Sequence, residues 1–102
     1  MNKLTLDLDG VRNEDEFHDR AMKVFEFPHY YGRNRDAFWD CITDIVDPTE
    51  VFVINFDILN DKLRLVVADY LAMLRDCEAE SNGEFSVSFG PPSQTFLGSS
   101  PQ

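Results

Sequence analysis

Val51-Phe52-Val53-Ile54 is an unbroken apolar run, mostly β-branched, set between Pro48-Thr49-Glu50 and Asn55. A short run of this kind, without polar alternation, reads as a strand covered on both faces, as in the middle of a parallel sheet. That reading decides the fold, because parallel neighbours need long crossovers and these are usually helical. Upstream, Leu4, Leu6 and Leu8 alternate with Thr5 and Asp7, the period of a strand with one buried face, and Asp9-Gly10 supplies its turn. Downstream, Phe85, Val87 and Phe89 alternate with Ser86 and Ser88, which predicts an edge strand with a wet outer face.

The segments between these strands carry helical signals. Asn13 can cap a helix, Glu16 completes a capping-box pattern, and Phe17, Ala21, Val24 and Phe25 share one face before Pro28 closes it. Asn34 is the N-cap of a second helix, with Ala37, Phe38, Cys41, Ile42 and Ile45 facing inward and Asp47-Pro48 at its end. From about residue 57 to residue 81, Leu63, Val66, Val67, Tyr70, Leu71 and Leu74 recur at helical spacing, read as a short helix followed by a long one that stops at Asn82-Gly83. Strand, helix, helix, strand, helix, helix, strand is the order of a two-layer α/β domain with a parallel sheet. It spans residues 1–89. Residues 90–102 are rich in Pro, Gly and Ser and read as a disordered tail in which Phe96-Leu97 is the one apolar pair.

Composition narrows the function. The chain has 102 residues, enough for one core, and its 9 Lys plus Arg against 19 Asp plus Glu leave a net charge of −10. Such a field repels nucleic acid and anionic lipid, and it attracts a basic protein at a rate that salt would reduce. Acidity of this degree also serves solubility alone. The start of the chain has no signal-peptide pattern, and no stretch approaches the roughly 18 apolar residues of a membrane span, so a cytoplasmic protein is expected. Cys41 and Cys77 lie on helical patterns without redox or zinc spacing and read as buried thiols, while His18 and His29 lack companions at ligand spacing. No metal or cofactor is expected.

On a helical wheel Asp36, Asp40 and Asp44 fall within about 80° of one another, opposite Phe38, Cys41 and Ile42. Trp39 lies beside this stripe, next to Thr43, either as a binding anchor or folded back onto the loop of Tyr30 and Tyr31. Gly32, directly after the two tyrosines, can take positive φ or admit a partner's backbone. Aromatic rings with a few well-placed charges are the residue types that dominate protein interfaces. On the last helix Asp69, Met73, Asp76 and Glu80 share a second acidic face. Exposed acids at i and i+4 share one wet environment, whereas glycosidase-type chemistry needs one carboxyl with a raised pKa in a dry cleft. No nucleophile elbow, catalytic triad or phosphate loop is present, so the chain does not read as an enzyme.

The run Tyr30-Tyr31-Gly32-x-Asn34-x-Asp36-Ala37-x-Trp39-Asp40-Cys41 resembles the defining segment of the barstar family of ribonuclease inhibitors. The resemblance extends from about Lys3 to Phe89, with an echo at Leu71 to Glu80. It implies a three-stranded parallel sheet packed with four helices, whose second helix and preceding loop plug the active site of a guanyl-specific ribonuclease. By position, Asp40 would take the place of a substrate phosphate, flanked by Asp36 and Thr43. Tyr30 would pack near the enzyme's catalytic histidine, and Tyr31 beside it is expected among the partner-binding residues too. Gly32 and Asn34 would add loop contacts, Trp39 would support the rim, and Glu80 and Asp76 would contribute peripheral charge. The implied partner is a basic ribonuclease toxin bound one to one by an otherwise monomeric immunity protein. The alternative is the same acidic module on a different basic toxin or regulatory protein. Arg33 and Arg35 depart from the best-known member, which has an acidic and an apolar residue there. Asp76 is a methylene shorter than the family's Glu, Ile45 replaces an aromatic, and the tail has no counterpart.

Overall fold

A computed structural model describes residues 2–90 of the chain. Strand β1 (Asn2–Asp7) leads through helices α1 (Glu14–Phe25) and α2 (Arg35–Thr43) to strand β2 (Thr49–Ile54). A single 3-10 turn (Phe56–Ile58), helix α3 (Asp61–Glu80) and strand β3 (Phe85–Phe89) follow. The sheet order is β1-β2-β3, both pairings parallel, with Leu4 opposite Val51 and Val51 opposite Val87. The predicted α/β class and central strand are what is found. The expected short third helix is that 3-10 turn, so the described residues form three α-helices where four were expected. The stretch expected as a tail lies, apart from Gly90, outside the described residues; the Gly90 N–H donates to Val53 O at 2.8 Å.

One expectation about the central strand is corrected. Val51 and Val53 are buried, but Phe52 between them is 45% exposed, and Thr5 and Ser88 on its flanks are exposed too. Strands that advance in one direction across a sheet through crossovers of one hand receive all their helices on the same face. Among the described residues no helix lies on the other face, so the apolar run of β2 does not mean two covered faces. The covered face carries Leu6, Leu8, Val51, Val53, Phe85 and Val87 into a core completed by Phe17, Ala21, Phe38, Ile42, Val67 and Leu74.

Helix boundaries follow local chemistry. Asn13 Oδ1 accepts from the Glu16 N–H, Asn34 Oδ1 from the Ala37 N–H and Asn60 Oδ1 from the Leu63 N–H, each at 2.8–2.9 Å. Glu16 does not close a capping box on Asn13: its carboxylate accepts from the backbone and side chain of Arg12. α1 ends two residues before Pro28, at Glu26, which is left-handed (φ 57°) with its N–H on Met22 O. α2 stops at Thr43, well before Asp47-Pro48. Asn82 and Gly83, at φ 56° and 87°, turn the chain from α3 into β3.

Candidate functional site

α2 is held by an aromatic cluster. Phe38 is fully buried among the rings of Phe17, Phe25, Phe27 and Tyr70, with centroids 5.1–6.4 Å away, and Ile42 is buried one turn on. This pins one side of the helix to the core, and the Asn34 cap fixes where it starts. By the 3.6-residue period the opposite side must face water, and Asp36, Asp40, Thr43 and Asp44 are all exposed there. Asp36 lies in the first turn, where the helix dipole favours an anion. Trp39 is half-buried against the edge of the core, and the Thr43 hydroxyl donates to its carbonyl at 2.7 Å.

The entry loop divides the two tyrosines. Tyr30 is 79% exposed, whereas Tyr31 is 6% exposed, its ring against Phe27 and its hydroxyl 2.8 Å from His18 Nδ1. Burial pushes the Tyr31 phenol well above its ordinary range, so it stays protonated. His18 is pulled the other way: burial lowers its pKa despite Glu14 Oε2 at 3.6 Å from Nε2. A neutral imidazole with its proton on Nε2 suits both neighbours, accepting from the Tyr31 hydroxyl and facing the Glu14 carboxylate. That carboxylate also accepts from the Tyr70 hydroxyl at 3.0 Å.

Gly32 is not the left-handed residue of the loop. Arg33 is, at φ 56°. Glycine matters at position 32 for closeness: a Cβ there would lie 3.3 Å from Ala37 Cβ. Arg33 and Arg35 point back into the chain. Arg33 donates to the Asp15 carboxylate at 3.0 Å and to that of Asp19, both on α1, and Arg35 Nε is 3.0 Å from Asp69 Oδ2 on α3.

Six of the ten candidate residues border three shallow hollows flanking α2, and Tyr31, Gly32, Trp39 and Asp76 border none of these three. Tyr30, Asp40 and Asp44 border one of about 350 Å³ with Pro28 and Cys41. Asn34 and Asp36 border a second with Met73, and Thr43 and Glu80 a third with Ile45 and Cys77. Asp76 is exposed on α3, next to Cys77, whose thiol contacts Ile42 O at 3.9 Å. Among the described residues Asp36, Asp40, Asp44, Asp76 and Glu80 enter no ion pair, while Arg12, Arg33, Arg35, Arg64 and Arg75 are each paired with other acids. The two thiols register this field: burial first, then Asp40 and Asp44, raises Cys41, and burial, then Glu80, raises Cys77. Both cysteines are free, Cys41 half-buried and Cys77 buried. No cluster among the described residues has the ligands for a metal ion, and no helix there is long and apolar enough to cross a membrane.

The feature that residue patterns missed is the pairing of Arg33 and Arg35. Nothing local links Arg33 to acids on α1; only the positive φ at 33 and the fold do so.

Fold and surface together define a class: a small acidic α/β domain offering unpaired carboxylates and an exposed tyrosine from one helix and its entry loop. The chain belongs to the barstar family, described as Barstar (barnase inhibitor), which it matches over residues 1–90. It is also 35% identical over 88 residues to "Putative ribonuclease inhibitor YrdF" of Bacillus subtilis (strain 168), an alignment covering 85% of this chain and 97% of that relative.

Proposed function

We propose that the chain is a ribonuclease inhibitor that closes the active site of a basic ribonuclease toxin with α2 and the loop before it. The observation that carries this reading is the separation of charge. Five arginines are neutralised within the chain, whereas among the described residues Asp36, Asp40 and Asp44 on the outer side of α2 and Asp76 and Glu80 on α3 enter no ion pair. A ribonuclease must bind a polyanion, so its cleft is positive. A rigid row of acids matches that cleft without offering a bond to cut, and Asp40 stands at its centre as the phosphate mimic. Asp36 and Thr43 flank it, and Tyr30, Gly32 and Asn34 meet the cleft from the loop. Trp39 supports the rim, with Asp76 and Glu80 at the edge of the contact. Tyr31 takes part from within, by holding the loop.

Preorganisation on a capped helix lowers the ordering cost of binding, and the net charge of −10 speeds encounter. On this reading the protein acts one to one, as an immunity protein in the cytoplasm of a cell exposed to the toxin.

The test is RNA cleavage by barnase, a guanyl-specific ribonuclease, titrated with this protein, its Asp40→Ala variant and, as a control of equal charge change, Asp61→Ala at the far start of α3. Inhibition that ends at one equivalent and is weakened only by Asp40→Ala supports the proposal. Equal behaviour of the two variants refutes phosphate mimicry by α2. If barnase is untouched, capture of a different basic protein from the native cell would favour the alternative partner.

A further inference from the structure

Between Tyr30 and Asp36 the chain alternates in what it does. Tyr31, Arg33 and Arg35 each reach back to the scaffold. Tyr31 meets His18 on α1, Arg33 meets Asp15 and Asp19 on α1, and Arg35 meets Asp69 on α3. Tyr30, Gly32, Asn34 and Asp36 are exposed, as are Arg33 and Arg35, so the alternation lies in the tethers and not in burial. The middle tether is the most elaborate. One guanidinium donates to the Asp15 carbonyl at 3.1 Å, to the Asp15 carboxylate at 3.0 Å and to the Asp19 carboxylate. It belongs to a residue held at φ 56°, a conformation that costs a non-glycine residue stability and persists where surrounding contacts over-determine it.

We infer that Arg33 is a positioning residue for the partner-facing loop: its ionic clamp on Asp15 and Asp19 holds the left-handed turn that keeps Tyr30 and Gly32 exposed and sets Asn34 as the cap of α2. The Arg35 to Asp69 bridge repeats the device at the start of α2. The partner-facing role of the loop rests on the function proposed above; the clamp does not. The same pairing removes an objection to that function, since two cations inside the contact segment are already matched by carboxylates and add little positive potential against a basic cleft.

Single exposed ion pairs are weak. A clamp of exposed pairs is therefore marginal, so the order of this loop should depend on salt while the core does not. Two amides report it: Tyr31 N–H, bonded to Pro28 O at 3.0 Å, and Ala37 N–H, bonded to Asn34 Oδ1 at 2.8 Å.

The experiment is backbone hydrogen exchange on the free, full-length protein, comparing the parent with Asp15→Asn/Asp19→Asn, which leaves the loop's own sequence intact. Exchange at Tyr31 should rise about threefold to tenfold, with a smaller rise at Ala37 and none at Val51 or Val53. Adding Arg33→Ala to the double variant should change little further, and Arg33→Lys alone should retain part of the protection. Unchanged exchange at Tyr31, or additive effects of the acid and arginine changes, overturns the clamp. Inhibition of barnase is measured in parallel. Faster loop exchange with undiminished inhibition would leave the clamp standing and remove its positioning role, whereas a parent protein that fails to inhibit barnase counts against the proposed target and leaves the exchange result to decide the clamp.

Discussion

His18 Nδ1 and the Tyr31 hydroxyl lie 2.8 Å apart inside the core, so that α1 and the loop presenting Tyr30 share one buried polar contact. The contact adds to the surface pairs of Arg33 with Asp15 and Asp19 and places a buried imidazole against the loop. It also makes the stability of the domain depend on pH in a way that can be worked out in sign.

Burial lowers the pKa of His18 below its ordinary 6.5, with Arg33 acting in the same direction and Glu14 and Asp15 opposing. Below about pH 6.5 the unfolded chain therefore binds a proton that the folded chain refuses, and stability falls as pH drops toward the folded value. Asp7, held below 3.8 chiefly by the Asn55 amide, adds stability that is lost only at lower pH, through its own folded value. Urea midpoints should thus decline between about pH 7 and pH 5 in the parent and be flatter in His18→Gln. An equally steep decline in both would exclude His18 as the cause.

At the alkaline end Tyr70, raised to about 12 first by burial and then by its bond to Glu14, keeps its proton longer when folded than unfolded. Stability should fall as pH rises above about 10, and Tyr70→Phe should remove part of that fall. Thermal melts across this range, with absorbance at the tyrosinate band, decide it.

Asp40→Ala should leave the melting temperature nearly unchanged, since the side chain is exposed and unpaired, while weakening binding to the target ribonuclease by at least about 2 kcal/mol, the scale of an interface hot spot. Calorimetric titration of both proteins is the measurement. Loss of stability in step with affinity would mean that Asp40 supports the fold and not the contact.

The association rate with a basic ribonuclease should drop steeply as ionic strength rises from about 10 mM to about 500 mM, because the Debye length shrinks below the size of the acidic face. The dissociation rate should change much less. Stopped-flow traces showing a salt-independent association rate would rule out steering.

Phe38→Ala should cost about 3–5 kcal/mol, a large part of the total stability of a domain this size, because four neighbouring rings lose their common partner. Urea denaturation checks it. A loss under about 1 kcal/mol would mean that the core closes over the gap and that α2 is anchored elsewhere.

Much of this architecture was legible before any coordinates. Leu4, Leu6 and Leu8, and Phe85, Val87 and Phe89, mark strands because side chains alternate across a sheet, the unbroken β-branched run at Val51 to Ile54 marks another, and Asn13 and Asn34 mark helix starts because a short polar side chain can accept an orphan N–H. The acidic stripe was legible too, since a helix with Phe38 and Ile42 inward must turn Asp36 and Asp40 outward. The stopping points were less so. α1 ends on a left-handed glutamate and α2 stops before Asp47-Pro48, outcomes set by how each chain end meets its neighbours.

That every described helix lies on the side of the sheet away from Phe52 follows from crossover handedness, which no residue records. Two tyrosines in a row carry no mark of which one turns inward, and it took His18, thirteen residues away, to claim Tyr31 and leave Tyr30 in water. Charge pairing was hidden for the same reason: Arg33 finds Asp15 across eighteen residues, a contact that exists only after α1 and the loop are brought side by side. The sequence alone determined which segments become strands and helices and that α2 shows acids on its outer side, because periodicity and capping act within a few residues. The tertiary structure decided which charges remain free to meet a partner, because ion pairing depends on distances in space that the order of residues does not contain.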